Sequence, residues 1–311
     1  MFSEIKFVTV GVRDLDRAIA FYADGFGFEE IARTRVDHEA VSGAWRIPHG
    51  IDGRFAVLGI PGIESGMVRL TEWTPSGAHV REPPARVQDL GPHAVNFRVK
   101  EIHEAWERLG QSGAREKSRP AYWEVDQNVA AFDSQCYDPD GTLLDVFQIV
   151  GEIARTLGPF QDGHDASEVQ TLSIHCADAR RSAAFYAALG FEPLYDRVID
   201  HVWSFFDLPK GTQIHNINLI MPGARPTGRV ELAQYIGLPG RSLKARTAAP
   251  GRGPLMMSMQ VQGLEQATVR IKALRAKPIG TSRYDCPPFG RVSAATFFGP
   301  DDEVIELFEV G

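Results

Sequence analysis

Apolar and polar positions along this chain change period at regular intervals, and the changes recur. FVTVGV, from Phe7, alternates in strand fashion and leads into DLDRAIAFYADGFGFEE, from Asp14, whose apolar residues fall at helical spacing. An Asp suited to cap a helix opens that segment, and a Gly in the C-cap region closes it. LSIHCA and DARRSAAFYAALGFEPL, from Asp178, repeat the arrangement. A second matched pair is CYDPDGTLLDVFQIVG, from Cys136, and FFGPDDEVIELFEVG, from Phe297, each with a Pro-Asp turn between two apolar runs. Asp14 and Asp178 lie 164 residues apart, and Asp145 and Glu306 161 apart, so the chain reads as one duplication.

Each half divides again. HAVNFRVKEIHEAWERLGQSG, from His93, and MMSMQVQGLEQATVRIKALRAKP, from Met256, are further strand-then-helix units, while MVRLTEW and INLIMPG close the modules ahead of them. The pattern predicts four βαβββ modules, near 4–74, 91–150, 168–222 and 254–310. They group into an N-terminal domain over 1–150, a linker over 151–167 and a C-terminal domain over 168–311. The fold class is α+β, with each half expected to curl into its own cup. The connector Pro222–Pro254 carries Arg225, Arg229, Arg241, Lys244, Arg246 and Arg252 against Glu231, and reads as a solvated basic loop or as a lid or anion clamp.

Composition narrows the function classes. The 43% hydrophobic content over 311 residues fills two cores, and a net charge of -7 argues against a nucleic-acid partner. Cys136, Cys176 and Cys286 lie far apart, which favours neither a disulfide framework nor a thiolate zinc site. No basic n-region with an apolar run opens the chain and no stretch reaches membrane-span length, so a cytoplasmic protein with no membrane partner is expected. Either a monomer or a homodimer is compatible with four modules.

The D-x-x-R-x-x-x-F-Y runs at Asp14–Tyr22 and Asp178–Tyr186, the GF after each, and the DPDGTLLDVF and GPDDEVIELF endings resemble the vicinal oxygen chelate superfamily. That superfamily includes glyoxalase I, extradiol ring-cleaving dioxygenases, methylmalonyl-CoA epimerase and the bleomycin- and fosfomycin-resistance proteins. The resemblance implies paired modules forming a cup, with a divalent metal held by His and Glu ligands from first and last strands. The corresponding positions here are Phe7, Arg69, Ala94 and Asp145, then Thr171, Asn218, Met256 and Glu306. None is a histidine, so no metal site and no cofactor is expected, with Fe, Mn or Zn as the alternative.

Alternation turns Arg69, Asn96 and Asp145 into the N-terminal cup, where Arg69 and Asp145 are expected to pair and plug it. The C-terminal cup receives Ser173, His175, Asn216, Asn218, Ser258, Gln260 and Glu306. His175 and Glu306 are the expected catalytic pair, with Asn218 and Ser173 for an oxyanion; Asn216, Ser258, Gln260, Arg69, Asn96 and Asp145 complete the expected substrate contacts. His93, one residue out of register, is expected to face away from the cup. Tyr122, Trp123, Glu124, His201, Trp203 and Phe205 are placed near the cup mouths. These readings point to metal-independent acid–base chemistry (isomerase, lyase or hydrolase type) on a small oxygenated molecule. A non-catalytic binding or resistance protein is the alternative. A third possibility is an extradiol-type dioxygenase with displaced ligands, His175 and Glu306 with His201 or His215.

Overall fold

The computed structural model describes residues 1–126 and 129–311, apart from the side chains of residues 125 and 126. The first module comprises β1 (Phe2–Val12), α1 (Leu15–Phe26), β2 (Glu29–Arg35), α2 (His38–Trp45), β3 (Asp52–Gly59) and β4 (Met67–Thr74). The second comprises β5 (Gly91–Val99), α3 (Ile102–Gln111), β6 (Arg115–Asp126), β7 (Val129–Tyr137) and β8 (Leu143–Val150). After the short α4 (Ile153–Thr156) come β9 (Ala166–His175), α5 (Ala179–Leu189), β10 (Glu192–Ile199), β11 (Ile214–Ile220) and β12 (Arg229–Tyr235). The fourth module runs β13 (Gly253–Val261), α6 (Leu264–Ala273), β14 (Lys277–Asp285), β15 (Arg291–Phe298) and β16 (Val304–Val310). The βαβββ order therefore occurs four times, as the pattern predicts.

The helix signals act as read. Asp14 and Asp178 each accept the backbone N–H three residues on at 3.0 Å, and Gly27 and Gly190 close their helices at φ 73° and 111°. The Phe-Tyr motif gains a further purpose. The Tyr22 hydroxyl donates to Asp138 at 3.3 Å and that of Tyr186 to Glu303 at 2.7 Å, so each first helix holds the Pro-Asp turn of the module after it.

The modules do not pair by halves. One curled eight-stranded sheet runs β14-β15-β16-β13-β1-β4-β3-β2, and the other β10-β11-β12-β9-β5-β8-β7-β6. The first module thus shares a cup with the fourth, and the second with the third, correcting the expectation that each half closes its own. Both seams are antiparallel pairings of first strands, β1 with β13 and β5 with β9. Modules two and three follow one another directly through 151–165, whereas 75–90 and 236–252 carry the chain between sheets.

Strand alternation separates two environments. Val8, Val10, Leu70, Val95, Phe97 and Leu172 point to a shared core that also takes the helices, with Phe26 stacked on Phe97 at 4.1 Å. The opposite residues, Thr9, Arg69, Asn96, Asp145 and Ser173 among them, line the cups. A ring of backbone bonds stitches the sheets together: Ile5 N to Gly228 O, Gly228 N to Val169 O, Val169 N to Gly66 O and Gly66 N to Ile5 O, all 2.8–3.0 Å. Gly66 and Gly228 sit at φ 60° and 66°, and a Cβ on either would meet a carbonyl oxygen at 2.6 or 2.3 Å.

Three arginines of the basic connector fasten crossover segments. Arg241 binds the Asp89 carboxylate at 2.9 Å, Arg246 donates to the Glu82 carbonyl at 2.7 Å and Arg252 to the Gly77 carbonyl at 2.9 Å. The same connector contains β12, the true closing strand of the third module. The resemblance implies Asn218 as that module's last-strand position, but Asn218 lies in β11; Glu231 occupies it instead.

Candidate functional site

Parallel pairing of first and last strands places four equivalent residue pairs opposite one another: Thr9 with Arg69, Asn96 with Asp145, Ser173 with Glu231, and Ser258 with Glu306. Module pairing distributes these between the cups. Arg69, Ser258 and Glu306 fall in the cup of modules one and four, as does β13 with Gln260. Asn96, Asp145, Ser173, His175, Asn216 and Asn218 fall in the cup of modules two and three. The expected catalytic pair His175 and Glu306 is therefore divided between two sheets.

The first cup is filled. Arg69, 1% exposed, pairs with Glu306, 0% exposed, at 3.0 Å, replacing the expected Arg69–Asp145 pair. The other hydrogen-bond partners of the Glu306 carboxylate among the described residues are donors too: Trp45 Nε1 at 2.8 Å, the Tyr284 hydroxyl at 2.9 Å and the Ser258 hydroxyl at 2.6 Å. Although burial opposes the charge, Arg69 and these donors hold the carboxyl below its usual range. Trp45, at the end of α2, lies 4.6 Å from the Arg69 guanidinium, with Phe7 across from it at 5.1 Å. Phe7, Met256 and Phe308 complete the plug. Glu306, expected to act in a C-terminal cup, thus belongs to a structural ion pair between modules one and four.

The second cup keeps an internal cavity of about 130 Å³. Asp133 on β7, Asp145 on β8 and Glu231 on β12 line it. Both Glu231 oxygens are held by amides, one by Asn216 at 2.8 Å and the other by Asn96 at 2.6 Å. Burial and then the neighbouring Glu231 charge push the Asp145 carboxyl up to about 7, against the pull of Gln135 and Lys117. Asp133 is likewise raised well above its ordinary value, first by burial and then by Asp145 and Glu231.

Several buried atoms around this cavity have no hydrogen-bond partner among the described residues: Asp145 Oδ1, Asn96 Oδ1, Thr171 Oγ1, Asn218 Oδ1 and Arg229 Nε. Arg229 and Thr171 are direct neighbours across the β12–β9 ladder. Burial pulls the Arg229 guanidinium down to about 9, which leaves it cationic at neutral pH. Unpaired polar groups cost roughly 1–3 kcal/mol each, a cost that water or a bound molecule in the cavity would relieve.

At the other end of the cavity, His175 stacks on His93 with ring centres 3.8 Å apart and meets the Tyr235 hydroxyl through Nε2 at 2.8 Å. Burial lowers both imidazoles well below their usual range, so both are neutral. His93 contradicts its expected orientation. The β5–β9 register shifts between Pro92 and Ala94, and this bulge brings both His93 and Ala94 to the cavity wall. Of the residues expected near the mouths, Trp123 lines the cavity and Trp203 packs in the apolar rim cluster beside it, while Tyr122 and His201 are exposed.

A divalent metal of the kind the fold family uses needs three or more converging donors. Among the described residues no group of three or more His, Cys, Asp or Glu is so placed. In the second cup the imidazoles stack on each other rather than converging with the acids, so these residues do not fit such an ion. The displaced ligand set is not assembled either: His215 bonds Asp196 at 2.7 Å, and Glu306 lies in the other sheet.

Residues 4–146 match the model of the Glyoxalase/Bleomycin resistance protein/Dioxygenase superfamily. The chain carries a domain of that superfamily. The matched stretch comprises the first two modules, which the fold separates into different sheets, so the family architecture here is completed across the halves. Glyoxalase I from Zea mays is similar in structure at a TM-score of 0.67 and 17% identity, over 98% of this chain and 92% of that one. A Bacillus subtilis protein provisionally described as a dioxygenase is similar at 0.60 and 13% identity, over 99% and 86%. At such identities the likeness is one of fold. Among curated protein sequences none matches this chain.

Proposed function

We propose that the cup of the second and third modules binds a small oxygenated organic molecule and moves a proton at Asp145, without a metal, in a reaction of the isomerase, lyase or hydrolase kind. The observation that carries this reading is the Asp145 carboxyl: partly buried, pushed up to about 7, and with its inaccessible Oδ1 unpartnered among the described residues at the cavity. A general acid–base group works best when its pKa lies near the operating pH, and desolvation beside a second charge brings an aspartate there.

The surrounding groups supply the complementary parts. Ionised Asp145 accepts a proton from a C–H or O–H of the bound molecule and returns it at another atom. Charge developing on a substrate oxygen is met by the Arg229 Nε–H and the Thr171 hydroxyl, both without protein partners. Glu231, fixed by Asn96 and Asn216, sets the field that keeps Asp145 protonatable. His175 is a weaker candidate for base, because burial suppresses its basicity and Tyr235 engages its Nε2. The 130 Å³ cavity is close to the ~150 Å³ of an engineered cavity that takes benzene, which limits the reacting part to about that size.

The test is a panel of small hydroxy-carbonyl, enone and lactone compounds in deuterated water containing a chelator, followed by proton NMR. The reading expects deuterium incorporation or product from at least one compound, reduced at least ~100-fold by Asp145→Asn with the circular dichroism unchanged. Undiminished turnover in Asp145→Asn, or turnover that requires an added divalent metal, would refute it. Binding without product in either protein would make the chain a sequestering protein.

A further inference from the structure

A second cleft, of about 480 Å³, opens beyond the strand ends of the second cup and shares His93 with it. Five cations line it, Arg81, Arg86, Arg115, Lys117 and Arg252, against the acids Glu82, Asp140 and Asp207. The acids are already used: Lys117 pairs with Asp207 at 3.0 Å, and Arg252 lies 3.9 Å from Glu82 and 4.0 Å from Asp140. Arg86 pairs with Asp89 at 3.4 Å. Neither Arg81 nor Arg115 forms an ion pair among the described residues, although the Asp89 charge, already held by Arg241 and Arg86, also acts on Arg81.

The cleft also has a surplus of hydrogen-bond donors. Arg81 spends Nε and Nη2 on the carbonyls of Pro92, Asp89 and Gly91, while its buried Nη1 has no acceptor. The Arg115 guanidinium lies 4.0 Å from the centre of the Tyr137 ring, which braces it, and its donors bond nothing among the described residues. His79, 8% exposed, accepts the Arg81 backbone N–H at Nδ1, which puts the ring proton on Nε2, again with no acceptor. Burial and the Arg252 and Arg81 charges pull this imidazole down to about 4, so the surplus consists of fixed cations and one neutral donor. A volume of this size falls within the range of small-molecule clefts.

We propose that this cleft is a binding site for a small oxyanion, a carboxylate or phosphate group, gripped by the planar fork of Arg115 with the Arg81 charge beside it. The exposed Arg115 guanidinium, braced on Tyr137 and bonded to nothing among the described residues, presents donors that match the two or three oxygens of such a group, and the cleft holds more cations than acids. The site goes beyond the proton chemistry of the neighbouring cup and does not depend on it.

Isothermal titration calorimetry of the full chain with inorganic phosphate and, separately, malonate tests the proposal at low and at about 0.15 M ionic strength. The proposal expects saturable 1:1 binding of at least one probe, weaker at the higher salt. It expects a loss of affinity of at least ~10-fold in Arg115→Ala, a smaller loss in Arg115→Lys, which keeps the charge without the fork, and none in Arg119→Ala, an exposed arginine outside the cleft. Binding of malonate alone assigns the site to carboxylates, and of phosphate alone to phosphates. Failure of both probes to saturate, an isotherm unchanged in Arg115→Ala, or an equal loss in Arg119→Ala would overturn it.

Discussion

Glu306→Gln tests the claim that the cup of modules one and four is structural. The four groups facing the Glu306 carboxylate, at 2.6–3.0 Å, all donate, and one of them is the buried Arg69 guanidinium. A glutamine keeps the shape but presents an NH₂ to this ring of donors and removes the only counter-charge of Arg69 among its contacts. Breaking a buried pair from one side costs roughly 3–5 kcal/mol, because the surviving charge remains desolvated. Replacing both partners, as in Arg69→Met with Glu306→Leu, removes the charge but strands the Trp45 and Tyr284 donors at about 1–3 kcal/mol each, so the double variant recovers only part of the loss. Urea unfolding followed by tryptophan fluorescence, with the slope compared between variants, reads these differences. A loss below about 1 kcal/mol for Glu306→Gln, or a ligand or reaction that disappears in it while stability holds, would refute the structural reading.

The other predictions concern the second cup and the junction. Asp145→Asn should raise stability at about pH 8 and leave it unchanged near pH 4, because a carboxyl whose folded pKa is raised from 3.8 to about 7 withdraws stability as pH climbs through that interval; urea midpoints at both pH values decide this. Glu231→Gln removes the charge that helps raise Asp145, so the acidic limb of any pH–rate profile should move to lower pH; an unmoved limb would show the two acids to be uncoupled. The lowered pKa values of His93 and His175 imply the opposite sign, with stability present above their ordinary value of 6.5 and lost on acidification below it, and their ring NMR signals should show no titration between about pH 6 and 8. Gly228→Ala, at φ 66° with a Cβ 2.3 Å from the Ile5 carbonyl, should destabilise by more than ~1 kcal/mol by the same urea assay, and Gly66→Ala similarly.

The four-module fold was legible because every module repeats the same local physics: an alternating strand, a helix capped by an acid or glycine, a turn and an apolar ending. Which modules would share a sheet was not legible. First-strand edges such as FVTVGV and MMSMQV carry no mark that separates partners, and 1–150 pairing with itself satisfies the same patterns. That single choice moved Glu306 and Ser258 away from His175, and Arg69 away from Asp145. Glu231 was missed because RVELAQY sits in a stretch dominated by Arg and Pro. Its Val230-Glu231-Leu232 core nevertheless matches Val68-Arg69-Leu70, Leu144-Asp145-Val146 and Ile305-Glu306-Leu307, a signal that four-way comparison of closing strands would have exposed. His93 turned on one bulge after Pro92, which alternation alone does not show.

The central claim is that the second cup holds a carboxyl poised to exchange a proton near neutral pH. Carbon-13 NMR of aspartate carboxyls, with Asp145→Asn used to assign the signal, measures this without knowledge of the substrate. The account predicts an Asp145 resonance titrating near pH 7 and moving to a lower midpoint in Glu231→Gln. A midpoint near 4, the ordinary aspartate range, would contradict it.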